Sequence, residues 1–249
     1  MFFKTMRISI GFNFEGTLVL PVQYNEIIQG FIYRNLDESL ANWLHNHGII
    51  YEKRRFKFFT FSRLMGKYRI RKDGMIEFSP PVELQIASIN ERMIESLVEN
   101  LLKREYHELS SNICQLIKIE VKKTPEYSKR KIVRALSPIT IYSTFTTKNG
   151  RRKTYYYSPF EADWEKQIVM NLVRKAKALG INEIPDESSI KPLKVEKKDM
   201  KLLIYKGTVI KAWMGIYSLM LPRVLFEIAF DSGIGAKNSQ GFGMIEAIE

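Results

Sequence analysis

Three histidines, one cysteine and a glycine-rich loop are the features of this 249-residue chain whose types and spacing bear on chemistry. An imidazole, with an ordinary pKa of about 6.5, takes up and releases protons near neutrality. His45 and His47 stand just before Gly48, at the end of a helical pattern, whereas His107 stands alone. On a continuing helix His45 and His47 would point about 200° apart; a helix that ends by His45 lets both face one cleft. The competing role is that of a helix C-terminal cation, favoured by the dipole. His107 reads as a packing or solvated residue. The single cysteine, Cys114, excludes an intrachain disulfide and a cysteine-based zinc site, and points to a reducing, cytosolic compartment. The acids form no cluster tied to a recognisable two-metal motif.

The glycine-rich stretch reads Gly233-Ile234-Gly235-Ala236-Lys237-Asn238-Ser239-Gln240-Gly241-Phe242-Gly243, two Gly-apolar-Gly clamps around a mostly polar segment. Glycine admits positive φ and close approach of backbone to a ligand. Successive amides can then point at phosphate oxygens, with Lys237 adding charge. The alternative is a tight turn between a helix and a strand. A Walker loop is excluded, because no Gly-Lys-Ser/Thr follows four spacer residues. The dinucleotide fingerprint fails too, because this loop leaves a helix and enters a strand.

Charge bounds the partner class. The net charge of +12 favours a polyanion, either nucleic acid or an anionic membrane surface. The charge is localised: residues 51–80 carry nine Lys/Arg against three acids, and residues 111–160 carry eleven against two. No stretch reaches the roughly 18–20 uninterrupted apolar residues of a membrane span, and the N-terminus lacks a signal-peptide pattern. Arg151, Arg152 and Lys153, followed by Tyr155–Tyr157, form the best basic-aromatic segment, with Lys129, Arg130, Lys131 and Arg134 as further phosphate-binding candidates.

The elements that must position these residues follow from periodicity. Residues 5–13 alternate as a strand, and Val22 to His47 carries apolar residues at helical spacing until Gly48. Phe56 to Ser62 is strand-like, and Lys72-Asp73-Gly74 is a hairpin turn between strands 68–71 and 75–79. A helix spans about 90–104 and a strand 112–122. This order is the split βαβ, ferredoxin-like pattern. The second half repeats it, with strands at 131–143, 154–158, 190–196, 201–205, 208–216 and 244–248 and helices at 159–179 and 221–230. The expected fold class is therefore α+β, two tandem ferredoxin-like domains with antiparallel sheets, spanning 1–123 and 130–249. The linker falls near Lys122–Arg130, where Thr124-Pro125 interrupts the pattern.

The glycine loop just before the last strand resembles the signature of the repeat-associated RNA-binding (RAMP) superfamily of CRISPR systems. The run from Phe31-Ile32-Tyr33 through Leu44-His45, Gly48 and Phe56-Lys57-Phe58-Phe59-Thr60-Phe61-Ser62 is similar to the CRISPR-associated endoribonucleases of the Cas6 family. The resemblance covers essentially the whole chain. It implies a cleft between two ferredoxin-like (RAMP/RRM-like) domains, no metal or other cofactor, and cleavage of CRISPR precursor RNA within each repeat to give crRNA. In such cleavage the 2′-hydroxyl attacks the adjacent phosphorus, leaving a 2′,3′-cyclic phosphate and a 5′-hydroxyl. The resemblance implies His45 as the family histidine, with His47 a second one, and Tyr33 as the family tyrosine. Lys53 is the expected charge-stabilising lysine, with Arg54 and Arg55 as alternatives. Gly233, Gly235, Lys237, Gly241 and Gly243 are the expected loop contacts to RNA, joined by Arg151, Arg152, Lys153, Arg130 and Lys131. The expected partner is repeat RNA, precursor and processed, in the cytoplasm and not at a membrane. Effector-complex subunits and a second copy of the chain are further partners the family admits. A non-catalytic RAMP-type RNA-binding subunit is the alternative reading.

Overall fold

Alternation in Arg7-Ile8-Ser9-Ile10-Gly11-Phe12 places Ile8, Ile10 and Phe12 on one face of the first strand, and all three are fully buried. The computed structural model describes residues 6–123 and 125–248; Thr5 of the expected first strand and Thr124 of the expected linker lie outside them. Strands β1 (Met6–Asn13), β2 (Phe59–Phe61), β3 (Val82–Ser88) and β4 (Asn112–Lys122) form one antiparallel sheet in the order β2-β3-β1-β4, with Tyr106–Leu109 added at the β4 edge. Helices α1 (Asn25–Arg34), α2 (Glu38–Asn46) and α3 (Glu91–Leu102) complete this half. Ile28, Phe31, Ile32, Met93, Ile94, Leu97 and Leu101 share a core with Ile8, Ile10 and Phe12.

The single helix expected over 22–47 is thus two. The apolar spacing continues through Leu36, which stays buried, but the backbone breaks there. Asn35 Nδ2 turns back onto the Phe31 carbonyl at 2.9 Å, and the Asp37 amide donates to Ser96 Oγ of α3 at 2.9 Å. Two side-chain bonds therefore replace the ladder bonds that a continuous helix would make. Gly48 ends α2 as expected, at φ +63°; a Cβ there would lie 2.7 Å from the Phe56 carbonyl oxygen.

The second half repeats the topology. Strands β5 (Arg130–Ala135), β6 (Ser189–Lys194), β7 (Ile216–Met220) and β8 (Ile245–Ala247) order as β6-β7-β5-β8, with helices α4 (Ala162–Ala178) and α5 (Arg223–Ser232). Trp164 of α4 stacks on Tyr217 of β7 at 5.5 Å, inside a core with Ile168, Leu172, Leu225 and Phe230. The strand expected over 131–143 leaves the sheet after Ala135, and 136–141 runs instead beside the glycine loop, with the Leu136 amide bonded to Met244 and the Thr140 carbonyl to Ala236. The strand expected over 208–216 is interrupted at Gly215, whose φ of +128° only glycine adopts freely. Two antiparallel ribbons stand apart from the sheet, Tyr142–Thr146 with Arg152–Tyr156 and Met200–Tyr205 with Thr208–Trp213. The architecture is two tandem ferredoxin-like folds. Among the described residues no helix is long and apolar enough to cross a membrane.

Arg7 of β1 joins the halves. Its side chain is 6% exposed, donates to the carbonyls of Ile245 (2.7 Å) and Phe230 (2.6 Å), and lies 5.1 Å from the Phe230 ring centroid. Burial pulls its guanidinium down to about 10, against the nearby charges of Asp231 and Glu246. Removing a buried, hydrogen-bonded charge leaves its acceptors unsatisfied. Arg7→Met is therefore expected to cost about 3–5 kcal/mol of stability, measured by urea unfolding; a change under about 1 kcal/mol, the level of a surface ion pair, would rule out this role.

Candidate active site

The break between α1 and α2 decides how Tyr33 and His45 meet. Twelve residues apart on one straight helix, they would share a face only roughly; after the break their rings lie edge to face at 6.2 Å. His45 is exposed, and its Nδ1 lies 3.0 Å from Asn46 Oδ1. In the tautomer that donates from Nδ1 to this oxygen, Nε2 is left free to accept. His47 is the C-terminal cap of α2 and exposed, with its amide on the Trp43 carbonyl at 2.8 Å.

The third member of this group is Lys57, which sequence reasoning passed over. Its Nζ donates to Tyr33 Oη at 3.0 Å and stands 5.3 Å from the Tyr33 ring centroid. The cause is local. Phe58 takes a left-handed φ of +53°, so the run 56–62 is not one alternating strand. Phe56 and Phe58 pack into the second core, Phe59 and Phe61 into the first. The Phe58 carbonyl is fixed by Ser88 Oγ at 3.0 Å and the Ile89 amide at 3.2 Å. Burial lowers the Lys57 ammonium from its ordinary value, and Arg55 and Lys206 lower it further. Burial, then the nearby Tyr205, raises the Tyr33 phenol well above the ordinary tyrosine value, so Tyr33 remains a proton-bearing donor.

Lys57 opens onto a cavity of about 350 Å³ between the segment 53–59 and the glycine loop. Lys53, Arg54, Arg55, Lys57, Lys175 and Lys237 line it, and no carboxylate among the described residues does. Lys53 sits at the exposed turn of the hairpin formed by Ile49–Tyr51 and Arg54–Phe56. Lys237 adopts φ +61° and places its Nζ 5.1 Å from the Tyr142 ring centroid; burial lowers its ammonium. Such a lining suits a polyanion whose phosphates relieve the crowding of like charge.

The four glycines themselves face protein. Gly233, Gly235, Gly241 and Gly243 are all buried. A side chain on Gly243 would collide with the Ile234 carbonyl, and one on Gly241 with the Phe61 ring. Asn25 Nδ2 donates to the carbonyls of Gln240 (2.8 Å) and Gly241 (3.2 Å), Thr60 Oγ1 to Phe242 (3.0 Å), and Gln29 Nε2 to Ser239. The close approach that glycine permits here is of chain to chain. The central segment, Lys237 to Gln240, is part-exposed, and with Gly235 and Ala236 it lines the cavity.

The remaining expected residues are distributed. Arg152 and Lys153 lie on the outer ribbon with Arg151 at its turn, all exposed, and the ribbon's other strand begins at Tyr142 in the cavity wall. Arg130 and Lys131 lie on β5 outside the cavity lining, and Arg130 bonds Ser218 Oγ at 3.3 Å. Lys129 and Arg134 pair with Glu187 and Glu246. Tyr155 bonds Glu161 at 2.8 Å. His107 is a packing residue: it is buried against Phe12 and Phe31, and Nε2 is held by the carbonyls of Leu101 and Arg104. Besides Lys57, reasoning from sequence missed Lys175 of α4. Its signal was available, since Lys175 falls on the apolar stripe of Trp164, Ile168, Leu172 and Ala176.

Comparison with known proteins assigns the chain. Residues 19–122 match the model of the CRISPR-associated protein Cas6 N-terminal family, and residues 120–247 that of the CRISPR associated protein Cas6 C-terminal family. The CRISPR-associated endoribonuclease Cas6 1 of Methanocaldococcus jannaschii is 29% identical, across 99% of this chain and 94% of its own. Solved structures also match along the length, two of them as follows. One, described as CRISPR associated protein Cas6, has TM-score 0.78 and 26% identity over 99% of this chain and all of the other. A second, described as an RAMP protein binding different RNA substrates, has TM-score 0.83 and 23% identity over 98% of this chain and all of the other.

The raised Tyr33 value gives a direct check. A difference titration of the tyrosinate band between the protein and Tyr33→Phe should stay flat through about pH 10, where an unperturbed tyrosine is half ionised. A half-titrated tyrosine in that difference at pH 10 would mean that Tyr33 is not desolvated and does not act as a persistent donor.

Proposed function

The chain belongs to the Cas6 family of CRISPR-associated proteins, and from this premise we propose that it is a metal-independent endoribonuclease that cuts CRISPR precursor RNA within its repeats. The observation that carries the chemistry is the chain of contacts from His45 through Tyr33 to Lys57 beside an acid-free cationic cavity. His45 Nε2 takes the proton of the 2′-hydroxyl. The 2′-oxygen attacks the adjacent phosphorus, and the bond from phosphorus to the 5′-oxygen breaks. Lys57 offsets the charge that develops on phosphorus and delivers the proton that the leaving 5′-oxygen needs. An ammonium lowered by burial and neighbouring cations gives up a proton more readily than an ordinary lysine. Tyr33 holds Lys57 and donates toward the phosphate. The products are a 2′,3′-cyclic phosphate and a 5′-hydroxyl.

Repeat RNA, precursor and processed, is the proposed ligand, bound in the cytoplasm. Its backbone enters the cavity between Lys53 and Lys237, and the ribbon with Arg151, Arg152 and Lys153 extends the basic track. We take 1–123 as the domain that supplies the reacting groups and 130–249 as the domain that supplies the opposing wall. Lys53, at the exposed turn, serves binding; Lys57 takes the charge-stabilising role expected of Lys53 from the family resemblance.

Incubation of the chain with a repeat RNA in EDTA should give cleavage that a single 2′-deoxy substitution at the cut site abolishes. A requirement for magnesium would sink the mechanism, and binding without cutting would favour the RNA-binding-subunit reading. His45→Ala should slow cleavage by about 10²–10⁴, whereas His47→Ala should stay within about threefold, the range of a group outside the reacting set. Lys57→Ala should lose about 10²–10³. A substrate whose bridging 5′-oxygen is replaced by sulfur leaves without protonation. It should restore much of the Lys57→Ala loss and none of the His45→Ala loss; the reverse pattern would exchange the acid and base roles.

A further inference from the structure

Lys175 of α4 has no part in the chemistry above. It is 3% exposed, on a helix stripe that Leu or Met would fill at far lower cost. Its Nζ donates to the Gly233 carbonyl at 2.6 Å, Asn238 Oδ1 at 2.8 Å, and both the carbonyl and hydroxyl of Ser232 at 3.3 Å. Burial draws the ammonium down to about 7. Asn238 passes the hold along, since its Nδ2 donates to the carbonyls of Ile234 and Phe242 at 3.0 Å each. The next residues of the loop reach the other domain: Ser239 accepts from Gln29 and Gln240 from Asn25, both on α1. Gln29 is one helical turn before Tyr33 on that helix.

We propose that Lys175 is a positioning residue for RNA cleavage, acting through Asn238 and the loop to hold α1, and with it Tyr33, against Lys57. This rests on the endoribonuclease reading. Its alternative is a purely local role, in which Lys175 caps the C-terminal carbonyls of α5 and nothing beyond them depends on it. The two differ in where the effect travels. A local cap ends at Ser232 and Gly233. A positioning tie reaches α1, changes the rate of the chemical step, and leaves the cationic cavity to bind RNA.

The test uses the full chain, a repeat RNA and two variants, Lys175→Met and Asn238→Ala, the second removing the tie without emptying the stripe of α4. Both residues border the cavity, but the Lys175 ammonium and the Asn238 amide are taken up by protein partners; each variant should therefore lower the single-turnover cleavage rate by about tenfold to a hundredfold, as a sub-ångström to ångström misplacement does, with Kd for RNA within about threefold. Because the two act as one unit, the double variant should lose no more than the larger single loss. Amide hydrogen exchange in 25–34 should quicken in both variants, while that of β1 and β3 is unchanged. Wild-type cleavage rates in either folded variant, multiplying losses in the double variant, or a loss confined to Kd would each overturn the proposal. If the unsubstituted chain cuts no repeat RNA, the endoribonuclease reading fails by itself, and hydrogen exchange decides the tie: quickening at 25–34 in Asn238→Ala upholds it, and no change overturns it.

Discussion

Backbone that is buried must find partners for its carbonyls and amides, and in this molecule that requirement falls hardest on the loop between α5 and β8. From Gly233 to Gly243 the chain is wedged between two domains with almost no solvent on the clamps at either end. Its carbonyls are met by Asn25 and Thr60 from the first domain and by Lys175 and Asn238 from the second. Its amides reach Thr140 and Pro138. Side chains at the four glycines would strike backbone or rings on either side. The loop is thereby held between α1 and α4, and its centre forms the wall of the cavity opposite the segment 53–59.

The cavity brings several cations together. Lys57 is half buried beside Tyr33 and Lys237 is partly so, with each ammonium lowered by desolvation. A cavity lined this way is unfavourable when empty of counter-charge, because burial and like charge act in the same direction. A bound phosphodiester would supply counter-charge and offset both. The free energy recovered is greatest at the most desolvated positions. Lys57 and Lys237, on opposite walls, therefore respond to a phosphate more strongly than the exposed lysines of the outer ribbon.

Much of the fold was legible. The change of period from two to helical and back placed six of the eight core strands and most of the helices, because each element buries one face and that face dictates its spacing. The strands Val82–Ser88 and Ile216–Met220, each next to the first strand of its sheet, were not placed. Three further features were not legible. The apolar residues of 27–44 keep helical spacing across Leu36, so the pattern carries no mark of the break; its cause lies in Asn35, Asp37 and Ser96, which are far apart or polar. The run Phe56–Ser62 looks like one strand because aromatic residues fill it, yet it is shared between two cores and crosses between them at Phe58. Lys57 then turns toward α1, where alternation alone would have left it as another surface cation. Lys53, the lysine expected from the family resemblance, sits at the exposed turn of the hairpin that separates the histidines from Lys57.

The glycine loop shows why composition and spacing could be right about place and incomplete about cause. Glycines near a lysine suggest a cradle in which amides meet phosphate. Here the glycines let one domain's backbone approach the other's side chains, and the polar centre of the loop is what turns to the cavity. Both uses draw on the same property, the lack of a Cβ, so the sequence pattern cannot separate them. The distinction matters for the proposed chemistry. A cradle would act on RNA alone and could be weakened without touching the reacting groups. A wedge couples the two: any change that loosens 233–243 also shifts α1, Tyr33 and the cation that Tyr33 holds. Domain docking and the geometry of the reacting groups are then one structural property, carried by backbone atoms that have no side chain to vary.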